Sequence, residues 1–176
     1  MAVTMSASLS LPAFGVAAAV GDAGSGPIPL FLGRFEDWTI WEVQGNEHRI
    51  CYMITGLNGR ENSSNFWPAL FVTVKPGKHA QNEVSIRSKK IASHDGALRA
   101  EIGARRFPLF KRRERAWLKG DEEDEKELLK AMRKGLTMTV RDASKKTGFA
   151  ESFSLIGFTK AEEALPDICS LSAGRT

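Results

Sequence analysis

The chain has 176 residues and carries 25 Lys and Arg against 21 Asp and Glu, a net charge of +4. Apolar residues make up 42% and charged residues 26%, the proportions of an ordinary globular domain, and the length suits one domain with a real core. A charge this mild argues against a dedicated nucleic-acid binder, and no apolar run reaches the ~18 residues that a spanning helix needs.

Residues 1–33 differ in composition from the rest of the chain. LSLPAFGVAAAV (9–20) is a short apolar run, succeeded by small residues and GDAGSGPIP. This pattern matches the apolar core and cleavage zone of a secretory signal, with cleavage expected after Ala19. The basic leader of such a signal is missing, since no Lys or Arg precedes Arg34. GDAGSG superficially matches a dinucleotide fingerprint, but no strand pattern precedes it and no helix pattern succeeds it, so that reading is set aside.

A series of short strands is expected next. Residues 37–43 alternate, with Trp38, Ile40 and the Val43 end placed on one face near Trp41. Gly45-Asn46 signals a turn, and 49–55 is the next strand, carrying Cys51. Residues 56–65 are rich in Gly and Asn and read as a loop. Residues 69–74 form a strand closed by Pro76-Gly77, and 82–87 put Val84 and Ile86 on one face. Residues 97–102 and 106–110 pair through Gly103. Short strands separated by Gly, Asn and Pro signals predict an antiparallel β-sandwich or barrel.

Charge is uneven beyond this point. Residues 105–119 hold seven Lys and Arg and one Glu, interleaved with Phe107, Phe110 and Trp117. Arg105, Arg106, Lys111, Arg112, Arg113 and Arg115 are therefore candidate anion-binding residues. An acidic run abuts them, so the simpler expectation is a solvated surface with the aromatics as core anchors.

The last third has the clearest local grammar. Asp121 to Asp124 offer an N-cap and first-turn carboxylates, and Leu128, Leu129 and Met132 share a face. Lys130, Arg133 and Lys134 crowd the far end, and Gly135 is expected in the left-handed position that ends many helices. These signals predict a helix over about 122–134. Leu136, Met138 and Val140 then alternate as a strand, residues 142–150 turn, and Phe153 and Leu155 return. Gly157 breaks the hairpin. Thr159 and Glu162 fit a capping box for a short helix over about 160–165, limited by Pro166.

No chemistry announces itself. His48, His79 and His94 are scattered without ligand spacing and are expected on the surface or in loops; neither a GxSxG elbow nor a phosphate loop occurs. The acidic run lacks the spacing of a calcium loop. Cys51 sits in an apolar strand, where a thiol is inert. No catalytic residue, metal site or cofactor is expected. Cys51 and Cys169 are the two cysteines of the chain. Their spacing leaves two states open: one long-range disulfide in an exported protein, or two buried thiols in a cytosolic one.

KAMRKGLTMTV (130–140), SFSLIGFTKA (152–161) and Cys169 together resemble the carboxyl-terminal signature of the invasion-associated locus B family. DWTIWEV (37–43), CYMIT (51–55), FPLF (107–110) and AW (116–117) agree in order, so the resemblance covers roughly 36–169. One departure lies in the hairpin turn, where Lys145, Lys146 and Thr147 separate Ser144 from Gly148, one place later than the family's glycine. The resemblance implies an envelope or secreted protein of a Gram-negative bacterium, and some members are linked to host-cell invasion. With the export-like terminus, it favours a Cys51–Cys169 disulfide. The expected organisation is a signal-like or flexible segment (1–33), one β domain (34–170) and a tail (171–176). The expected function is a periplasmic, secreted or surface-exposed binding module with a protein or envelope partner. Nucleic acid is not the expected partner. The alternatives are an enzyme whose residues converge from distant strands, and an anion or nucleic-acid binder using 105–119.

Overall fold

Alternating apolar and polar side chains build ten strands, and the computed structural model describes residues 28–44, 49–59, 68–75, 81–144 and 148–173. The strands are β1 (Leu30–Phe35), β2 (Trp38–Gln44), β3 (Arg49–Gly56), β4 (Ala69–Lys75) and β5 (Gln81–Arg87), then β6 (Leu98–Ile102), β7 (Arg105–Arg112), β8 (Arg115–Leu118), β9 (Thr137–Asp142) and β10 (Ala150–Ser154). Three helices interrupt them: α1 (Lys89–Ser93), α2 (Glu122–Lys134) and α3 (Phe158–Ala173). The signal-like run, the turns at 45–46 and 76–77, His48, His79 and the loop residues 145–147 lie outside the described residues.

The expected mainly β, antiparallel fold is present as one sheet in the order β1-β2-β3-β4-β5-β8-β7-β6-β9-β10. The sheet curls toward a barrel without closing. Its last strand reaches the end of β3 through a bridge between Leu57 and Phe153, and the Asn58 amide donates to the Ser152 carbonyl at 3.0 Å. Hairpins predicted from Gly103 and from 142–150 pair as expected, Ala100 opposite Phe107 and Met138 opposite Phe153.

Directly paired residues share a face, so the registers carry one inner surface across the sheet. Ile40 lies opposite Met53, Met53 opposite Val72, Val72 opposite Val84, and Ala100 opposite Val140. All of these side chains are buried, and each fully buried large apolar group contributes about 1.5–3 kcal/mol. Val43, expected with Trp38 and Ile40, falls on the opposite face with Trp41, because strand parity is strict.

Helix α2 begins as the sequence predicts. Asp121 accepts from the amides of Glu123 and Asp124, and Asp124 answers the Asp121 amide at 3.1 Å, a reciprocal capping box. Leu128, Leu129, Ala131 and Met132 enter the same core as the inner sheet face. Gly135 ends the helix with extended backbone (φ −89°), contrary to the left-handed expectation. Its lack of a side chain matters for space instead: a Cβ there would press on Ile102 and Leu155.

Helix α3 starts two residues early and runs through Pro166 to Ala173. Proline removes one helical hydrogen bond, but the chain on both sides is anchored. Phe158, Ala161 and Leu165 are buried, and Ile168 packs against the same core. The capping box expected of Thr159 and Glu162 does not form. Thr159 donates to the Arg133 carbonyl at 3.3 Å, and Glu162 receives Arg133 through two bonds of 2.6 and 2.7 Å. Both side chains therefore join α3 to the end of α2.

Candidate functional site

The two cysteines come from opposite ends of the domain and meet under the sheet. Cys51 points to the inner face of β3, since it pairs with Glu42 while its neighbour Tyr52 pairs with Trp41 on the other side. Cys169 lies three turns into α3 and packs on the core beside Ile168. The two form a disulfide with Cα atoms 6.2 Å apart, spanning 118 positions of sequence. That separation is inside the range a disulfide requires. Trp38 and Phe158 pack edge to face at 5.2 Å near the start of the same helix, so α3 is pinned at both its first and third turns.

The outer face is unusual for a sheet surface, which ordinarily alternates to polar residues. Phe31 lies opposite Trp41, Trp41 opposite Tyr52, Phe71 opposite Ser85, Ser85 opposite Trp117, and Trp117 opposite Phe110. Phe31 and Trp41 meet edge to face at 5.2 Å, Tyr52 and Phe71 tilt at 5.9 Å, and Phe110 stacks on Trp117 at 5.4 Å. An aromatic band thus crosses from β1 to β7. Its ends protrude, Phe31 being 49% and Phe110 48% exposed, while the middle rings are half-buried.

One pleat along from this band lies a row of like charge. Arg115 sits directly opposite Arg87 on one side and Arg112 on the other. Like charges directly opposite one another destabilise a sheet. Local contacts moderate the row: Arg87 pairs with Glu114 at 2.8 Å, and the Arg115 guanidinium lies 5.5 Å from the Phe71 ring centre. A second cluster occupies β6, β7 and β9, where Arg99, Arg141 and Arg106 approach the carboxylate of Glu101 at 2.7, 2.9 and 3.7 Å. The hydrogen bond from Arg99, with Arg141 and Arg106 beside it, holds that carboxyl below its usual range.

The six basic residues singled out in the sequence do not act together. Arg106, Arg112 and Arg115 share the outer face. Arg105 belongs to the inner side and pairs with Glu127 of α2 at 2.7 Å. Lys111 donates to the carbonyls of Ile91 and His94 and so holds the end of α1. Arg113 forms the β7–β8 turn with a left-handed φ of 55°. Arg87, Arg99 and Arg141 complete the cationic face and were not singled out, because only the pairing of distant strands places them there. Phe110 and Trp117 face outward, while Phe107 alone of the three interleaved aromatics anchors the core.

A buried polar cluster ties α1 to the last hairpin. Ser88, the N-cap of α1, donates to Glu151 at 2.8 Å, and His94, its C-cap, lies 3.4 Å from Asp142. His94 also stacks on Phe149 at 5.7 Å, so it is packed rather than a surface histidine. Burial pushes the Glu151 carboxyl up, opposed by the Ser88 bond and the Lys90 charge. One Glu151 oxygen meets no hydrogen-bond partner among the described residues. Among those residues no group of three metal-ligating side chains converges.

A curled antiparallel sheet, covered on its inner side by helices and closed by one disulfide, defines the structural class. Within it, the chain is similar to the crystal structure of invasion associated protein B from Bartonella henselae, with a TM-score of 0.55 over 80% of this chain and 97% of that one. The two are 12% identical, so the likeness is one of fold. No protein-family model and no curated protein matches the chain.

Proposed function

We propose that the chain is a non-enzymatic binding module of the periplasm or cell surface, closed by its disulfide and presenting the outer sheet face to its partner. The Cys51–Cys169 crosslink carries this reading. Disulfides persist in oxidising compartments and are rare in the cytosol. The crosslink fastens the last helix over the inner face, which leaves the aromatic and arginine-rich outer face as the surface with chemistry to offer. The sequence resemblance to invasion-associated locus B proteins and the fold likeness to a protein named for invasion favour a role at the envelope, in contact with host cells.

Fractionation of cells making the tagged full-length protein tests the location. Recovery outside the cytosol with no alkylatable thiol is expected. A purely cytosolic product with two reactive thiols overturns the proposal.

A further inference from the structure

We propose that the outer sheet face docks on an anionic lipid surface, with the Arg87–Arg115–Arg112 row at the phosphates and the rim of the aromatic band in the interfacial layer. This rests on the outer face being the contact surface and goes further in naming what it contacts.

Three observations carry it. The first is the arginine row itself. A sheet that places three arginines at directly opposite positions forgoes stability in the free protein, and an incoming anion relieves that penalty. The residues are arginines, whose planar fork suits bidentate phosphate recognition, and the partner carboxylate of Glu114 serves the row through Arg87.

The second is the geometry of the rings. Phe110 and Trp117 lie 17° from parallel with centroids 5.4 Å apart, so one face of each ring is turned to the other, Trp117 Nε1 donates to Glu83 at 3.2 Å, and Phe110 stays 48% exposed. Rings used to stack on bases need free faces. Exposed rings at the rim of a surface instead suit the lipid headgroup layer, where aromatic side chains concentrate. Ile50 and Phe31 add exposed apolar groups to the same face.

The third is charge polarity. Beyond the other end of β8 the chain turns acidic, from Asp121 to Glu125 at the start of α2. A groove of about 270 Å³ at this end is lined by Glu83, Asp121, Glu122 and Glu125 together with Phe110 and Trp117. An anionic surface therefore meets the face tilted onto its arginine end, away from this acidic groove. Juxtaposed cations and apolar groups act additively at a membrane, and the electrostatic part is salt-sensitive.

The test is co-sedimentation of the oxidised full-length chain with vesicles of phosphatidylglycerol mixed into phosphatidylcholine, against phosphatidylcholine alone. Strong preference for the anionic vesicles is expected, weakening with salt. Arg112→Ala with Arg115→Ala should weaken partition about thirtyfold, from roughly one unit of surface attraction per cation. Phe110→Ser should weaken it roughly tenfold and leave a residue of binding more easily removed by salt. Lys119→Ala, at the acidic end, should change little and shows that charge count alone is not the cause. Equal sedimentation with both vesicle types overturns the inference. So does retention on heparin or DNA with no vesicle binding, which would make the partner a polyanion. Neither result touches the compartment reading, since thiol state and fractionation are measured without lipid.

Discussion

At the scale of single residues, the sheet keeps ionisable groups in two different states of readiness. Glu101, gripped by three arginines, is an ordinary surface anion made more acidic. Glu151 is the opposite case: buried, held by the Ser88 hydroxyl, and pushed above its ordinary 4.5 by loss of water. Its folded form holds the proton more tightly than the unfolded chain does. The stability it contributes is complete below about 4.5 and is lost as pH rises through the folded value. Glu151→Gln keeps an acceptor for Ser88 and deletes the charge. Urea unfolding should therefore give a higher midpoint for the variant at pH 8 and nearly equal midpoints near pH 4. Equal midpoints at pH 8 would mean that the carboxylate is hydrated in the folded state.

At the scale of elements, α3 is fixed by its two neighbours rather than by its own propensity. Gly157 precedes it with a φ of 88°, and a Cβ there would strike the Phe35 carbonyl oxygen, so Gly157→Ala should cost about 2 kcal/mol or more by chemical denaturation. A change under half that would place the backbone elsewhere. Arg133→Ala removes both bonds to the buried Glu162. The guanidinium is nearly half exposed, which discounts the loss to about 1–3 kcal/mol, and a double-mutant cycle with Glu162→Gln should recover most of it as coupling. Independent effects would contradict the pairing. These contacts explain what the sequence reveals and what it hides. Helix α2 is legible because Asp121, the first-turn acids and the Leu128–Met132 stripe are local signals. Helix α3 is truncated by the same reasoning because Pro166 is also a local signal, whereas its extension rests on Cys51 and the core, far away in the chain. Strand β8 is four residues among charges, recognisable only from its partners, and β1 is an edge strand beginning inside the segment that reads as an export signal. The outer-face aromatics alternate visibly, but the arginine row depends on residue 87 meeting residue 115, a register that no local pattern sets.

At the scale of the whole molecule, the first third of the domain and the last helix are one structural unit because a covalent bond joins β3 to α3 on the inner side of the sheet. Enclosing 118 positions, it should contribute about 4–5 kcal/mol in the chain-entropy picture, a large share of a domain's net stability. A Cys51→Ser, Cys169→Ser chain should retain its strands but lose protection first in α3, as read by native-state hydrogen exchange. Uniform loss of protection would mean that the crosslink does not act through α3. The most direct measurement is equilibrium unfolding of the purified full-length protein with its cysteines oxidised and then reduced. No titratable thiol in the native oxidised protein and a fall of about 4–5 kcal/mol on reduction are predicted. Two free thiols in the native state, or equal stability in both forms, would contradict the crosslinked fold.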